Sequence, residues 1–187
     1  MINHLGTVTL ETKRLILRKF STEDSIDMFN NWAHDAEVTR YLTWINHPDI
    51  QTTIRLLKLW MDSYKNIDYY QWAIELKESK QVVGSISIIN IDDYNENCEI
   101  GYCIGKAFWN CGIMTEAFSS VIDFTFNKLG FKRIAGRHHT CNLASGRVMK
   151  KCGLKYEGIL RKIIKDGNGE LVDCKCYSIL KDEYLTS

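Results

Sequence analysis

The sequence predicts an α/β (α+β) fold, with a mixed, mostly antiparallel central sheet of about seven strands and helices on both faces. Two observations lead to this class. Apolar residues recur every three or four positions in some segments, whereas other segments alternate or run apolar over strand length. The predicted elements then follow one another in the order β-α-α-α-β-β-β-α-β-α-β-β.

The first part of the chain predicts one strand and three helices. Residues 13–19 are apolar over strand length, and Ser21 with Asp24 resembles a capping box that starts a helix. Pro48 precedes the longest amphipathic segment, where its fixed φ suits a first helical turn. The three helices are expected over residues 21–33, 35–42 and 49–64.

The middle of the chain predicts three consecutive antiparallel strands, because short β-rich runs are separated by polar turns. These strands are expected at Tyr70–Leu76, Gln81–Asn90 and Glu96–Ile104. A helix beginning at Gly112 and ending at Gly130 follows, and its apolar residues line one side. The next strand, residues 131–139, completes a strand-helix-strand unit, whose two strands we expect to be parallel.

The last part predicts a short helix and a hairpin. Asn142 caps the helix, Gly153 ends it, and a glycine-rich turn at residues 166–169 separates the two final strands. These strands are expected at Lys155–Ile164 and Glu170–Leu180. With 187 residues and 45% hydrophobic side chains, the chain is expected to form one domain over residues 1–187.

Composition argues against several classes of protein. The formal net charge of +1 lacks the positive excess of a nucleic-acid binder, so no nucleic-acid partner is expected. No apolar run is long enough to span a bilayer and no signal peptide is evident, so we expect a cytoplasmic protein without a membrane partner. The seven cysteines lack C-x-x-C spacing, and no metal is expected, although Cys174 and Cys176 share one face of a strand.

Residues 105–112 form a predicted loop between a strand and a helix, and Gly112 opens that helix. The first N–H groups of a helix lack internal partners, and the helix dipole places partial positive charge there. A phosphate at this position would be held largely by the main chain. A single glycine at a helix start is weak evidence, because most such glycines are ordinary turns.

Three segments together resemble the GNAT superfamily of acyl-CoA-dependent N-acetyltransferases: EIGYCI at residues 99–104, FWNCGIMTEA at 108–117, and NLASGRVMKKCGLKYEGILR at 142–161. The resemblance covers nearly the whole chain and is strongest to the branch that acetylates ribosomal-protein N-termini. It implies acetyl-CoA as the acetyl donor and an acyl-CoA N-acyltransferase fold, in which the sheet splays between its fourth and fifth strands.

The family's pyrophosphate loop, written Q/R-x-x-G-x-G/A, maps onto residues 109–114. Gly112 is kept, whereas Trp109 and Met114 replace the first and last motif residues, and Asn110 stands where many members have glycine. Since main-chain N–H groups bind the diphosphate, these departures leave the donors intact. The resemblance implies that the cofactor-binding residues are Cys103, Ile104, Trp109, Asn110, Cys111, Gly112, Ile113, Met114, Thr115 and Asn142.

By the same resemblance, the pantetheine arm of the cofactor enters the splayed junction. Backbone groups of Tyr102, Cys103 and Ile104 would pair with it in the manner of an added strand. Asn142 would lie near the pantetheine or its thiol end, beside Ser145.

Acetyl transfer to an amine requires a neutral amine, a stabilised oxyanion and a proton for the leaving thiolate. Glu99 is the first choice as base, the alternative being a solvated strand carboxylate. Ser145 and Tyr102 compete as the acid, and Ser145 is preferred; the alternatives are a helix-capping serine and a core tyrosine. A backbone N–H near Cys103 or Ile104 would stabilise the oxyanion.

Other residues suggest further roles. Cys103 or Cys111 could form an acetyl-cysteine intermediate, but neither has a histidine adjacent in sequence. Glu157 also matches a family position, although a structural role at a strand turn is equally consistent. In the predicted helical region ahead of the three consecutive antiparallel strands, Trp44, His47 and Trp60 could shape the acceptor pocket. Apolar packing is the alternative for both tryptophans.

The hypothesis favoured by the sequence is direct transfer of acetyl from acetyl-CoA to a primary amine, such as the N-terminal amine of a ribosomal protein. One alternative is a small-molecule acceptor, for example a polyamine, an amino acid or an aminoglycoside. Another is a non-catalytic acyl-CoA-binding module. The sequence leaves the acceptor and the oligomeric state open.

Overall fold

The central sheet of the computed structural model, which describes residues 1–185, contains eight strands. They are β1 (Leu10–Glu11), β2 (Leu15–Arg18), β3 (Tyr70–Leu76), β4 (Val82–Asp92), β5 (Asn97–Ile104), β6 (Arg133–His139), β7 (Lys155–Lys165) and β8 (Leu171–Leu180). The spatial order is β1-β2-β3-β4-β5-β6-β8-β7. The sequence predicted about seven strands, and β1 was missed because two residues are too short to show a period.

Six α-helices accompany the sheet within residues 1–185. They are α1 (Ser25–Met28), α2 (Ala36–Thr39), α3 (Ile50–Ser63), α4 (Ile113–Phe124), α5 (Leu143–Lys151) and α6 (Lys181–Leu185). None of them combines the length and the apolar character that crossing a membrane requires.

The helix predicted over residues 21–33 is irregular. A 3₁₀ turn precedes α1 and a π turn, Phe29–Ala33, follows it, so one predicted helix consists of three kinds of turn. The capping box of Ser21 and Asp24 is present, as the sequence indicated. Asp27 and Asn31 fix this segment to the sheet, because their side chains hydrogen-bond the main chain of Val82.

Apolar side chains form two clusters, one on each face of the sheet. Successive residues of β3 show the division, since Trp72 and Ile74 join one cluster and Ala73 joins the other. Residues of α4 fill the first cluster, and residues of α1 and α3 contribute to the second. The prediction of helices on both faces is therefore confirmed.

The junction between β5 and β6 is the one parallel pairing among the sheet's neighbours within the described chain. It extends only from Asn97 opposite Arg133 to Glu99 opposite Ala135. β5 continues to Ile104 beside β4, and β6 continues to His139 beside β8. The two strands therefore separate beyond Glu99 and Ala135, which confirms the splay and leaves an opening in the sheet.

Candidate active site

A cavity of about 700 Å³ lies at the opening between β5 and β6. Glu99, Gly101 and Cys103 line it from one face of β5, and Ile100 and Tyr102 line it from the other. Its remaining walls come from α3, the segment that precedes α3, β3, β4, β6 and the hairpin of β7 and β8.

The loop before α4 has a backbone suited to an anion. Asn110 and Gly112 adopt left-handed conformations, with φ of 61° and 73°. Glycine adopts this region freely and asparagine does so more readily than most residues, which explains why asparagine can replace a glycine at position 110. The first helical bond of α4 runs from the Glu116 N–H to the Gly112 carbonyl, so the N–H groups of residues 113–115 precede it.

Side chains beside this loop hold it in place. Ile113 and Met114 are buried in the core, and the Trp109 indole donates a hydrogen bond to the Ile104 carbonyl at 3.0 Å. Arg14, on the segment before β2, donates to the Cys111 carbonyl at 3.0 Å and pairs with Glu116 at 2.6 Å. A guanidinium therefore lies next to the main-chain donors, which adds positive charge to this end of the helix.

The Glu116 carboxylate accepts three hydrogen bonds, from the Thr12 hydroxyl, the Arg14 N–H and the Arg14 guanidinium. Burial raises the pKa of its carboxyl, but hydrogen bonds from Thr12 and from the Arg14 main chain and guanidinium outweigh burial and lower the pKa below its usual value. The carboxylate thus stays ionised and keeps Arg14 oriented toward the loop.

The main-chain N–H and C=O groups of successive β5 residues point alternately toward β6 and toward β4. The Glu96 carbonyl accepts from Lys132 on the β6 side, and the Gly105 N–H donates to Val83 on the β4 side. Since these directions alternate along a strand, the main-chain groups of Tyr102 and Ile104 face the opening. Those of Cys103 face β4, which leaves Tyr102 and Ile104 as the candidates for pairing with the pantetheine arm.

Glu99 lies on the same face of the sheet as α1 and α3, where its side chain is 13% exposed. Arg137 on β6 donates to one carboxylate oxygen at 3.0 Å, and Asn90 donates to the other at 3.0 Å. Glu99 is therefore oriented by two partners, and the alternative of a freely solvated strand carboxylate does not describe it. A carboxylate has further lone pairs, so both contacts leave it able to accept a proton.

Tyr102 and Ser145 meet on the opposite face. The tyrosine hydroxyl lies 2.8 Å from the Ser145 hydroxyl and donates to the Ser145 carbonyl at 2.9 Å. Asn142 caps α5 by accepting a hydrogen bond from the Ser145 N–H, so the serine hydroxyl is not needed for the cap. The two side chains that competed for the acid role therefore form one hydrogen-bonded pair.

The opening separates the candidate base from the candidate acids. Glu99 and Tyr102 are three residues apart on one strand, which places their side chains on opposite faces. Beyond Glu99, β5 has no hydrogen-bonded neighbour on its β6 side, so the sheet does not close off one face from the other there. A group that passes through it could therefore contact both.

The partly buried Cys103 thiol is a poor nucleophile. Burial raises the pKa of Cys103 to about 12, so the thiol stays protonated near neutral pH. Cys111 is exposed in the loop before α4, and residues 105–110 separate it in sequence from the end of β5. Cys174 and Cys176 have no third His, Cys, Asp or Glu close enough to form a metal-binding group within residues 1–185.

The hairpin of β7 and β8 covers part of the cavity. The Gly167 N–H donates to the Leu42 carbonyl at 2.9 Å, and a Cβ at Gly167 would lie 2.7 Å from main-chain atoms of Trp44. This close approach requires glycine. Trp44, His47 and Trp60 all line the cavity, and the two tryptophans also pack against the apolar cluster on that face.

Glu157 has a structural environment. Arg133 donates to both of its oxygens, at 2.8 and 2.6 Å, and the Ser178 hydroxyl donates to Oε1 at 2.7 Å. These three residues join β7, β6 and β8, and none of them lines the cavity. The position favours the structural interpretation of Glu157.

Comparison with known proteins identifies the family. The GNAT acetyltransferase domain matches residues 14–155, which is more than half of the chain. This protein belongs to the GNAT acetyltransferase family. GNAT enzymes transfer an acyl group from acetyl-CoA, and the loop at Asn110 and Gly112, the N–H groups after it and the opening in the sheet fit that donor.

Individual relatives agree with this assignment. The chain is 34% identical to YoaA of Bacillus subtilis, named an uncharacterized N-acetyltransferase, over 92% of this chain and 96% of the relative. It is 31% identical to YdaF of the same organism, provisionally named a ribosomal N-acetyltransferase, over 78% of this chain and 79% of the relative. A solved GNAT-family acetyltransferase from Bacillus anthracis has 25% identity and a TM-score of 0.81, covering 94% of this chain and 99% of that one.

Sequence reasoning missed two cations of this GNAT site. Arg14 lies 102 positions before Glu116 in sequence, and Arg137 follows Glu99 by 38 positions. Neither belongs to the motifs that indicated the family. The alternation of β6, which places Arg137 and Glu99 on one face of neighbouring strands, was the available signal.

Proposed function

We propose that this enzyme transfers the acetyl group of acetyl-CoA directly to a primary amine, and that the acceptor is the N-terminal amine of a protein such as a ribosomal protein. The observation that carries the proposal is the opening between β5 and β6, with Glu99 on one face and the pair of Tyr102 and Ser145 on the other. Location in the cytoplasm stays a prediction.

The donor side holds the cofactor. The N–H groups of residues 113–115 and the nearby Arg14 guanidinium would bind the diphosphate, and the main chain of Tyr102 and the carbonyl of Ile104 would pair with the pantetheine arm. Acetyl-CoA, when bound, supplies an acetyl group activated as a thioester. The N–H of Ile104 faces the opening and is the candidate donor to the oxyanion.

The acceptor side prepares the amine. Glu99 takes a proton from the attacking amine, directly or through water, while Arg137 and Asn90 keep the carboxylate in place. An α-amine has an ordinary pKa of about 8 and a lysine amine about 10.4, so an N-terminal amine needs less help near neutral pH. This difference favours an α-amine.

The acid is the pair of Tyr102 and Ser145. As the amine nitrogen forms the amide bond and the carbon–sulfur bond breaks, this pair gives a proton to the leaving sulfur. Burial raises the pKa of Tyr102, although the Ser145 hydrogen bond lowers it, so the tyrosine keeps its proton at neutral pH. The high pKa of Cys103 argues against a covalent acetyl-cysteine route.

The charge of the cavity argues against polycationic acceptors such as polyamines or aminoglycosides. Two carboxylates line it, Glu99 and Asp166, whereas three basic side chains do so, Arg55, Arg137 and Lys165. The net positive charge of these lining side chains would repel polycations. The name of the relative YdaF supports a ribosomal-protein acceptor.

Two measurements test the proposal. Calorimetric titration with acetyl-CoA should show binding, and thiol release should then depend on peptides with free N-terminal amines. The same peptides blocked by N-acetylation serve as the matched control. Binding without thiol release from any amine in a panel of peptides, polyamines, amino acids and aminoglycosides would favour the non-catalytic module, and absence of binding would contradict every version.

A further inference from the structure

Both carboxylates that line the cavity are already engaged. Glu99 pairs with Arg137, which neutralises the charge of that cation. Asp166 accepts the N–H groups of Asn168 and Glu170, at 2.9 and 3.0 Å, and so stabilises its own hairpin turn. Glu99 is thus paired with a cation, whereas Asp166 is held by main-chain hydrogen bonds and forms no ion pair with a described residue.

Two cations of the cavity lack such a partner. Arg55 on α3 donates to the Thr52 hydroxyl at 2.9 Å, and within residues 1–185 it forms no ion pair. Its charge contributes to lowering the pKa of Asp49, after the hydrogen bonds from Thr52, but Asp49 caps α3 and does not line the cavity. Lys165, at the end of β7, likewise forms no ion pair with any described residue.

The walls around these cations are mainly uncharged. His47 and His138 also line the cavity, and burial lowers the pKa of both, so they stay neutral near pH 7. Apolar side chains from α3, the loop before it, β4, β7 and β8 form much of the wall: Trp44, Leu56, Leu59, Trp60, Ile89, Ile164 and Val172. Uncharged polar residues contribute the rest, among them Thr43, Thr52, Gln71, Ser85 and Ser87. Arg55 and Lys165 are themselves exposed, so water and salt screen them, and their attraction for an anion rests on their lack of a paired carboxylate.

We propose that Arg55 and Lys165 select an acceptor that carries a carboxylate close to its reacting amine. This inference rests on the proposed function and names the acceptor chemistry of the same cavity. The carboxylate could be an acidic side chain near a protein N-terminus or the α-carboxylate of a free amino acid. Both sources present one anion next to one primary amine.

A charge series of acceptor peptides tests the proposal on the whole protein. C-terminally amidated peptides that begin Ala-Phe-Xaa, with Asp, Asn or Lys as Xaa, place one variable charge beside a constant amine. We expect the Asp peptide to have a KM lower than that of the Asn peptide by about fivefold, and the Lys peptide to be the poorest. Phenylalanine against phenylalaninamide tests the α-carboxylate when both KM values are expressed for the neutral amine, because amidation also lowers the pKa of the α-amine.

Variants assign the preference to the two cations. Arg55→Gln and Lys165→Gln should each reduce the ratio between the Asp and Asn peptides while leaving acetyl-CoA affinity unchanged. Lys58→Gln on α3 and Lys162→Gln on β7 are the matched controls, since neither residue lines the cavity, and both should keep the ratio.

The outcomes separate this inference from the proposed function. Equal KM values for the Asp and Asn peptides, together with no preference for phenylalanine over its amide, would overturn the selection of an anion. The same ratio in the Arg55 and Lys165 variants as in the wild type would overturn the assignment to these residues. Thiol release with no acceptor at all would contradict the proposed function as well.

Discussion

The hydroxyl groups of Tyr102 and Ser145 lie 2.8 Å apart, and the tyrosine also donates to the Ser145 carbonyl at 2.9 Å. This contact joins the splayed end of β5 to the first turn of α5. If Tyr102 donates to the carbonyl, the serine proton points to the tyrosine oxygen, and the two hydroxyls form a short chain. The serine can then replace a proton that the tyrosine gives to the leaving sulfur.

Removing the tyrosine hydroxyl should slow the reaction more than removing the serine hydroxyl. Tyr102→Phe is expected to lower kcat by about 10²-fold, because general acid catalysis typically contributes this much. Ser145→Ala should lower kcat by about tenfold, since Tyr102 keeps its bond to the Ser145 carbonyl. Steady-state kinetics and calorimetry with acetyl-CoA check both; unchanged kcat in both variants would remove the pair from the mechanism.

The pH dependence of the reaction should not show the titration of a tyrosine with the ordinary pKa. Because burial raises the pKa of Tyr102, its protonated form persists above the usual tyrosine pKa of about 10. We expect kcat to stay flat from about pH 7.5 to about 10.5, beyond the ordinary tyrosine pKa, while kcat/KM rises as the acceptor amine loses its proton near pH 8. A fall in kcat within this range that disappears in Tyr102→Phe would show that the tyrosine titrates normally.

Glu99 and Arg137 should respond differently to single and double substitution. Glu99→Gln is expected to lower kcat/KM by about 10²-fold and to lower the Tm, because it leaves the half-buried Arg137 without its charge partner. Adding Arg137→Met should restore the Tm but not the rate. Glu78→Gln, in the exposed turn before β4, is the control, and a wild-type rate in Glu99→Gln would mean that Glu99 has no role as base.

The loop before α4 should tolerate glycine but not bulk. Asn110→Gly is expected to keep the affinity for acetyl-CoA, because glycine adopts a φ of 61° freely. Asn110→Val and Gly112→Ala should weaken it, since a left-handed conformation costs most other residues about 1–2 kcal/mol. Calorimetric titration checks the series, and equal affinity in all three variants would show that this loop does not hold the cofactor.

The regular elements could be predicted from sequence because they repeat. The alternation of β3 and the three- and four-residue spacing of α3 and α4 are local, and the structure confirms these elements. β1 has two residues and no period, so it could not be found. The helix near residues 21–33 was identified, but its π turn depends on contacts that lie outside the segment, such as Asn31 with Val82.

The site could be predicted only where a motif existed. Asn142, Ser145 and Gly112 belong to motifs, and the structure places them at the starts of α5 and α4. Alternation alone predicts that Tyr102 and Cys103 face opposite sides of the sheet, but it does not say which helices cover each side. The contacts of Glu99 with its partners and of Gly167 with Leu42 are between residues far apart in sequence. They could be identified only from the folded structure.

The position of the transferred acetyl group tests the central claim most directly. A peptide with a free N-terminal amine and an internal lysine is incubated with the enzyme and acetyl-CoA, and mass spectrometry locates the acetyl group in peptide and protein. The account predicts one acetyl group on the N-terminal amine, released thiol in equal amount, and no acetylated cysteine in the enzyme. Acetyl on Cys103 or Cys111, or thiol release that does not require the amine, would contradict it.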